Sequence, residues 1–253
     1  MPHRKLNVSA QGFLESYEAL LAARGYVADA AQMAAAGALQ SLYSKLLTFK
    51  VKRGSTLNRL LAPPEPPRGV YFWGGVGRGK SFLMDCFYDA VPYRRKKRIH
   101  FHAFMQRIHR DLQRFSGEPD PLLKVAGQIA RETRLLCFDE FHVSDIADAM
   151  ILGRLLDGLF AKGVVLVMTS NYAPDALYPD GLQRENFLPA IDLLKKRLDV
   201  FRIDAGTDYR LRAMAQVEIY HVPADANAER AMLDYFRMVS GSDGEPGGRI
   251  EIL

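Results

Sequence analysis

The run Gly74-Gly75-Val76-Gly77-Arg78-Gly79-Lys80-Ser81 fits the pattern G-x-x-x-x-G-K-[ST]. Residues of these types at this spacing suit the binding of a phosphate chain. The glycines let successive backbone N–H groups turn inward around an anion, and Lys80 brings a point charge to the terminal phosphates. Ser81 offers a hydroxyl to a divalent cation such as Mg²⁺, and a helix opening at Phe82 adds its positive end. A Gly-rich turn that happens to precede Lys80 and Ser81 is the structural alternative. The apolar stretch from Val70 to Trp73 before the loop and the helical pattern from Phe82 to Ala90 after it form the strand, loop and helix in which the pattern binds ATP or a similar nucleotide.

Hydrolysis needs a second contact to Mg²⁺ and a base for the attacking water. Leu135-Leu136-Cys137-Phe138-Asp139-Glu140 is a short apolar run ending in two acids. Asp139 is placed to hold the cation through its bound water and Glu140 to polarise the nucleophilic water, whereas a phosphotransfer to a substrate hydroxyl would not need that second acid. The alternative role for the pair is to cap a helix starting near Ser144. The next apolar run, from Val164 to Ser170, ends in Asn171. If this strand lies between the loop strand and the acidic strand, the Asn171 amide reaches the γ-phosphate or the attacking water, the role termed sensor 1; otherwise it is a turn residue ahead of Pro174. Arg184 follows in Gly181-Leu182-Gln183-Arg184. It is the candidate arginine finger, projecting from one subunit into a neighbour's site, with a surface pairing to Glu185 or Asp180 as the alternative.

The elements that position these residues read as an α/β fold. Strand candidates are Val70 to Trp73, Arg98 to His102, Leu135 to Asp139, Val164 to Thr169 and Val200 to Ile203, each short and each followed by a helical period. The pattern predicts a parallel five-stranded sheet flanked by helices, with right-handed crossovers. The segment from Asp145 to Phe160 reads as one such helix, with Ile146, Met150, Leu156 and Phe160 on its apolar face. Residues from Gln11 to Lys52 form an N-terminal helical region, in which Asp29 and Gln32 have the form of a capping box; contact of the same pair with a bound adenine is the other reading. Pro63, Pro64, Pro66 and Pro67 end that region. The expected division is therefore 1–67 helical, 68–215 P-loop core and 216–253 C-terminal segment, the last containing strands near Gln216 to Tyr220 and Arg249 to Leu253 and a helix from Asn227 to Val239. Because the sequence stops inside what reads as a strand, that segment is expected to be truncated.

Composition bounds the rest. The 253 residues are 48% hydrophobic and 25% charged, which excludes a disordered or fibrous chain. Two cysteines, Cys86 and Cys137, supply neither a disulfide framework nor a four-ligand zinc site. The opening residues lack an apolar signal core and no apolar stretch reaches membrane-spanning length, so the expectation is a cytoplasmic protein with no membrane span. A net charge of +5 and the run Arg94-Arg95-Lys96-Lys97-Arg98 admit nucleic acid as a partner, though a solvated turn ahead of a strand explains the run more simply. His100 and His102 fall on one strand face with His109 nearby; structural roles are favoured there over a metal site.

Taken together, the loop, the Asp139-Glu140 pair and Asn171 place the chain among P-loop ATPases of the AAA+ type. The finer pattern resembles the ZapE family of bacterial cell-division ATPases and their mitochondrial relatives. The resemblance is carried by Pro67 to Ser81, Leu83-Met84-Asp85, Arg98-Ile99-His100-Phe101-His102, Leu136 to Phe141 with Asp145 to Met150, Thr169-Ser170-Asn171, Gly181 to Arg184 and Asp208-Tyr209-Arg210. It implies an ATPase acting on FtsZ polymers, or on another division-ring protein, as the ring constricts. It also implies Lys80, Ser81, Asp139, Glu140 and Asn171 as site residues; a homo-oligomer as the active state follows if Arg184 is a finger. Members of that family continue past the end of this sequence, where a lid and a second sensing arginine are expected. Three other readings stay open: a nucleic-acid-associated AAA+ ATPase, a quality-control ATPase or chaperone, and a nucleotide-gated module without turnover.

Overall fold

The computed structural model describes residues 12–54 and 64–203, together with Arg230 and Leu233. The elements expected in 216–253, and Asp208-Tyr209-Arg210, lie outside the described residues. The chain divides into two units at Gly206 and Thr207. All that follows concerns the first.

In chain order the elements are α1 (Phe13–Ala23), α2 (Ala30–Gly54), β1 (Gly69–Trp73), α3 (Lys80–Ala90), β2 (Lys96–His100), α4 (Phe101–Arg114), α5 (Pro121–Glu132), β3 (Leu135–Asp139), α6 (Ile146–Ala161), β4 (Val165–Ser170), α7 (Leu188–Arg197) and β5 (Leu198–Arg202). Two single 3₁₀ turns, Pro174–Ala176 and Arg184–Asn186, lie between β4 and α7. The five strands form one sheet in the order β2-β3-β4-β1-β5, every pair parallel. Thus β4 does lie between the loop strand and the acidic strand.

Alternation along each strand divides the core in two. Val70, Phe72, Leu135, Cys137, Val165 and Val167 face one way and pack with α1, α2 and α3, including Phe13, Leu39, Leu46, Leu83 and Phe87. Tyr71, Leu136, Phe138, Leu166 and Met168 face the other way, toward Phe101, Phe104, Val125, Leu152, Leu156 and Leu194 of α4 to α7. Strands buried on both faces are what continuous apolar runs encode. The N-terminal helices therefore share a core with the sheet. At Gly69 the strands run so close that a Cβ would lie 1.9 Å from the Leu166 carbonyl oxygen, which only glycine permits.

Several boundaries differ from the sequence reading. The second strand is Lys96–His100 rather than Arg98 to His102, because Phe101, Phe104, Met105 and Ile108 recur at helical spacing and bury one face of α4. His102 thus belongs to a helix and shares no strand face with His100. The last strand starts earlier, at Leu198, running straight out of α7. The loop helix α3 begins at Lys80, two positions before Phe82. On α6 the buried face is Ala149, Leu152, Leu155, Leu156, Leu159 and Phe160, while Ile146 is 38% exposed. The apolar stripe turns with the helix, and its first turn clears the core.

Candidate nucleotide site

The loop from Gly74 to Ser81 leaves the carboxyl end of β1 and enters α3. Gly77 and Gly79 have φ of 78° and 76°, a left-handed conformation that an L side chain adopts only under strain. They direct the backbone into a cradle at the α3 N-terminus, where helix N–H groups have no partners within the helix. Lys80 is 7% exposed and donates to the Gly74 carbonyl at 2.7 Å, the Gly75 carbonyl at 2.6 Å and Asn171 Oδ1 at 3.2 Å. Its ammonium therefore lies inside the cradle, at the tip of β4.

Asp139 ends β3 and is 3% exposed. Three donors fix its carboxylate: Ser81 Oγ at 2.8 Å and Thr169 Oγ1 at 2.6 Å on Oδ1, and an Arg98 guanidinium nitrogen at 2.7 Å on Oδ2. Ser81 and Asp139 are close enough to share one small hard cation, and a hydroxyl with a carboxylate is a donor set that suits Mg²⁺. Arg98 also forms an ion pair with Asp85 of α3 at 2.6 Å, so one guanidinium ties β2, β3 and the loop helix together. Burial pushes the Asp85 carboxyl above its usual range; Arg98 opposes that and Asp139 adds to it.

Glu140 follows at φ 54°, a strained position for a residue with a side chain. Its N–H donates to Thr169 Oγ1 at 3.2 Å, and its carboxylate, 77% exposed, lies 3.8 Å from His100 Nδ1. The next peptide is fixed as well: the Phe141 N–H donates to the Thr169 carbonyl at 2.7 Å, and Ser170 Oγ donates to the Phe141 carbonyl at 2.6 Å. The tip of β4 thus holds the tip of β3, turning Glu140 outward while Asp139 stays in. A cavity of about 350 Å³ opens beside them, lined by Glu140, Asn171, His142, Tyr172, His102 and neighbours, with the His142 and Tyr172 rings stacked at 4.9 Å.

The structure brings Lys80, Ser81, Asp139, Glu140 and Asn171 to one end of the sheet, with the glycines of the loop, Val76, Arg78 and Phe82 around them. Arg184 is elsewhere. It lies in a single 3₁₀ turn and donates to the Tyr178 carbonyl at 3.1 Å and the Asp175 carbonyl at 2.8 Å, in a segment where Tyr178, Asp180 and Gln183 all have positive φ. The capping box is present: Gln32 N–H donates to Asp29 Oδ1 at 2.8 Å and Asp29 N–H to Gln32 Oε1 at 3.1 Å. Gln32 also donates from Nε2 to the Arg78 carbonyl at 3.0 Å, so the α2 cap braces the phosphate loop. The three histidines part ways, His102 to Gln106, His109 to Asp148 at 2.7 Å and His100 to Glu140. Among the described residues no group of three potential metal-ligating side chains occurs.

Arg98 and Thr169 are the residues that sequence reasoning missed here. Arg98 is legible as the end of a basic run and as part of the family resemblance, but not as a partner of Asp139; that role depends on its register with Cys137 of β3. Thr169 is legible as the end of a strand and within Thr169-Ser170-Asn171, but its hydroxyl contact with Asp139 is not.

A parallel sheet with a phosphate cradle at its carboxyl edge, an acid pair on the second strand over and an amide between them defines a P-loop ATPase fold of the AAA+ type. The fold matches domain III of the Thermotoga maritima replication initiation protein DnaA with TM-score 0.54, at 15% identity over 88% of this chain and 90% of that one. It matches AMPPCP-bound DnaA from Aquifex aeolicus with TM-score 0.51, at 12% identity over 93% of this chain and 64% of that one. The AFG1-like ATPase family model matches residues 13–253, and the chain belongs to that family. Among its relatives, the Escherichia coli cell division protein ZapE is 50% identical over 187 residues, 74% of this chain. A zebrafish (Danio rerio) relative, lactation elevated protein 1 homolog B, is 46% identical over 181 residues, 67% of this chain and 36% of its own length. The chain spans about half the length of the Escherichia coli relative, with 50% of it covered.

Proposed function

We propose that this protein hydrolyses ATP with Mg²⁺ and uses the cycle to act on a protein of the division ring in the cytoplasm, with FtsZ polymers as the client. The observation that carries the hydrolytic reading is the pairing of a buried Asp139 on Ser81 Oγ, at 2.8 Å, with an outward Glu140 facing an open cavity. The loop N–H groups and Lys80 bind the phosphates, Ser81 and Asp139 hold the cation, and Glu140 takes the proton from the attacking water. Mg²⁺ supplies charge neutralisation of the phosphate oxygens when bound. Asn171, 3.2 Å from Lys80 Nζ, orients the water or the γ-phosphate. In the structure Lys80 is engaged by the carbonyls of its own loop; a bound phosphate replaces them as acceptors.

The division role is supported by similarity to the Escherichia coli cell division protein ZapE, and FtsZ as the client is what the family resemblance implies. Sedimentation of FtsZ polymers with this protein tests it: pelleting that changes with ATP and not with ADP supports the reading. Normal hydrolysis with unchanged pelleting in both nucleotides removes FtsZ as a client of this chain and favours the quality-control reading. Nucleic acid is the less favoured partner, and a hydrolysis rate unmoved by single-stranded or duplex DNA is expected.

Arg184 serves as the trans-acting finger in a homo-oligomer under this reading, released from the Asp175 and Tyr178 carbonyls when a neighbour docks. Turnover per chain that rises with protein concentration supports it; turnover per chain independent of concentration, with Arg184→Ala inert, contradicts it.

A further inference from the structure

At the opposite edge of the sheet from the nucleotide site lies a cavity of about 650 Å³ whose described lining residues include Lys50, Arg53, Arg94, Arg95 and Arg134 and no acidic residue among them. These cations come from three separate stretches of sequence. Lys50 and Arg53 end α2, Arg94 and Arg95 precede β2, and Arg134 precedes β3. Sheet hydrogen bonds fix their spacing: the Arg134 N–H donates to the Arg95 carbonyl at 2.7 Å, and the Arg134 carbonyl accepts from Val165 N–H at 2.9 Å.

Lys50, Arg95 and Arg134 are oriented by carbonyl oxygens. Lys50 Nζ donates to Pro92 at 2.9 Å, Arg95 to Arg131 at 2.8 Å and Arg134 to Lys162 at 2.8 Å. A carbonyl positions a cation without cancelling its charge. Arg134 retains a buried Nε with no hydrogen-bond partner, and burial together with the Arg53 and Arg95 charges pulls its guanidinium down to about 10. Assembling like charges around a concave site costs stability, and an anion seated among them relieves both the repulsion and the unmet donor.

We infer that this cavity is a binding site for a small, multiply charged phosphate-bearing molecule, distinct from the nucleotide site. The arginine forks match phosphate oxygens in bidentate geometry, and the volume fits a compact ligand rather than a polymer. Single-stranded nucleic acid is disfavoured because a strand needs exposed rings for stacking. Phe49 is 7% exposed, and Lys50 lies 5.8 Å over the Tyr93 ring. The site has a route to the chemistry: Pro92 follows the C-terminal end of α3, the helix whose other end forms the phosphate cradle. The basic run noted in the sequence is thereby divided. Arg94 and Arg95 line this cavity, Lys96 turns back onto the Tyr88 and Val91 carbonyls, and Arg98 reaches Asp139.

The test is calorimetric titration of inorganic pyrophosphate into the full chain already saturated with ADP, at low and high NaCl, on the wild type and on Arg94→Glu. Arg94 is exposed, so its reversal leaves the packed core in place, and a melting curve verifies folding. Arg134→Lys, which keeps the charge and removes the fork, is the second variant. The expected result is one further equivalent per chain, weakened tenfold or more by Arg94→Glu and by added salt and to a lesser degree by Arg134→Lys. No further equivalent overturns the inference. So does an equivalent whose affinity is the same in both variants, or binding of an oligonucleotide or anionic vesicles at this face with none of pyrophosphate.

Discussion

The two edges of the sheet handle positive charge in opposite ways. At the carboxyl edge two cations sit inside polar networks: Lys80 is fixed by two loop carbonyls and Asn171, and Arg98 is held between Asp85 and Asp139. At the amino edge five cations line one cavity, with no acid among its described lining residues. Under the proposed function the first arrangement would fix groups in place for a reaction, since preorganised charge costs no reorganisation when the transition state forms. The second brings like charges together around a concave site, an arrangement that an incoming anion would relieve. A parallel sheet produces this contrast naturally, because its carboxyl edge gathers loops that lead into helix N-termini while its amino edge gathers the ends of helices and the residues that open each strand.

The contrast predicts a ranked series of effects at the carboxyl edge. Lys80→Ala removes the charge at the centre of the cradle, and ATP turnover falls on the order of 10³-fold, checked in a phosphate-release assay, with weakened binding of a fluorescent nucleotide. Arg98→Ala leaves a carboxylate that is 3% exposed with only its two hydroxyl donors. Chemical denaturation should show a loss of about 2 kcal/mol, and kcat should drop more than KM rises, while Arg98→Lys recovers part of the stability and less of the rate, because a lysine cannot bridge Asp85 and Asp139 in the same fork. Equal rates in the two variants and the wild type would dissolve the idea that Arg98 positions Asp139. Gln32→Ala is the smallest change: it opens the capping box and frees the Arg78 carbonyl, for a loss of about 1 kcal/mol and a rise in KM with kcat nearly kept.

How much of this was legible follows from how each part is built. The glycine-rich loop, Asp139-Glu140 and Asn171 are contiguous motifs, so their gathering at one end of the sheet is legible from neighbouring letters, and β1, β3 and β4 are legible because apolar runs buried on both faces contrast with amphipathic helices. The second strand was misplaced because Phe101 and Phe104 continue an apolar run while also matching a helical period, and tertiary packing of α4 decides in favour of the helix. Arg98 was hidden for a related reason: its role depends on register between β2 and β3, which no single strand contains. Gln32 offered two readings, and the structure shows the capping box together with a brace to the loop that spacing alone does not encode. The amino-edge cavity was least legible, since Lys50, Arg94 and Arg134 meet only after the sheet forms.

The most direct measurement is single-turnover ATP hydrolysis by Glu140→Gln beside the wild type, with nucleotide affinity measured on both. The loop, Ser81 and Asp139 are untouched by the substitution, so affinity stays within about twofold while hydrolysis falls by roughly 10²- to 10³-fold, the loss of a general base. Hydrolysis at the wild-type rate with unchanged affinity would contradict the assignment of Glu140 and, with it, the account of why the tip of β4 turns that side chain outward.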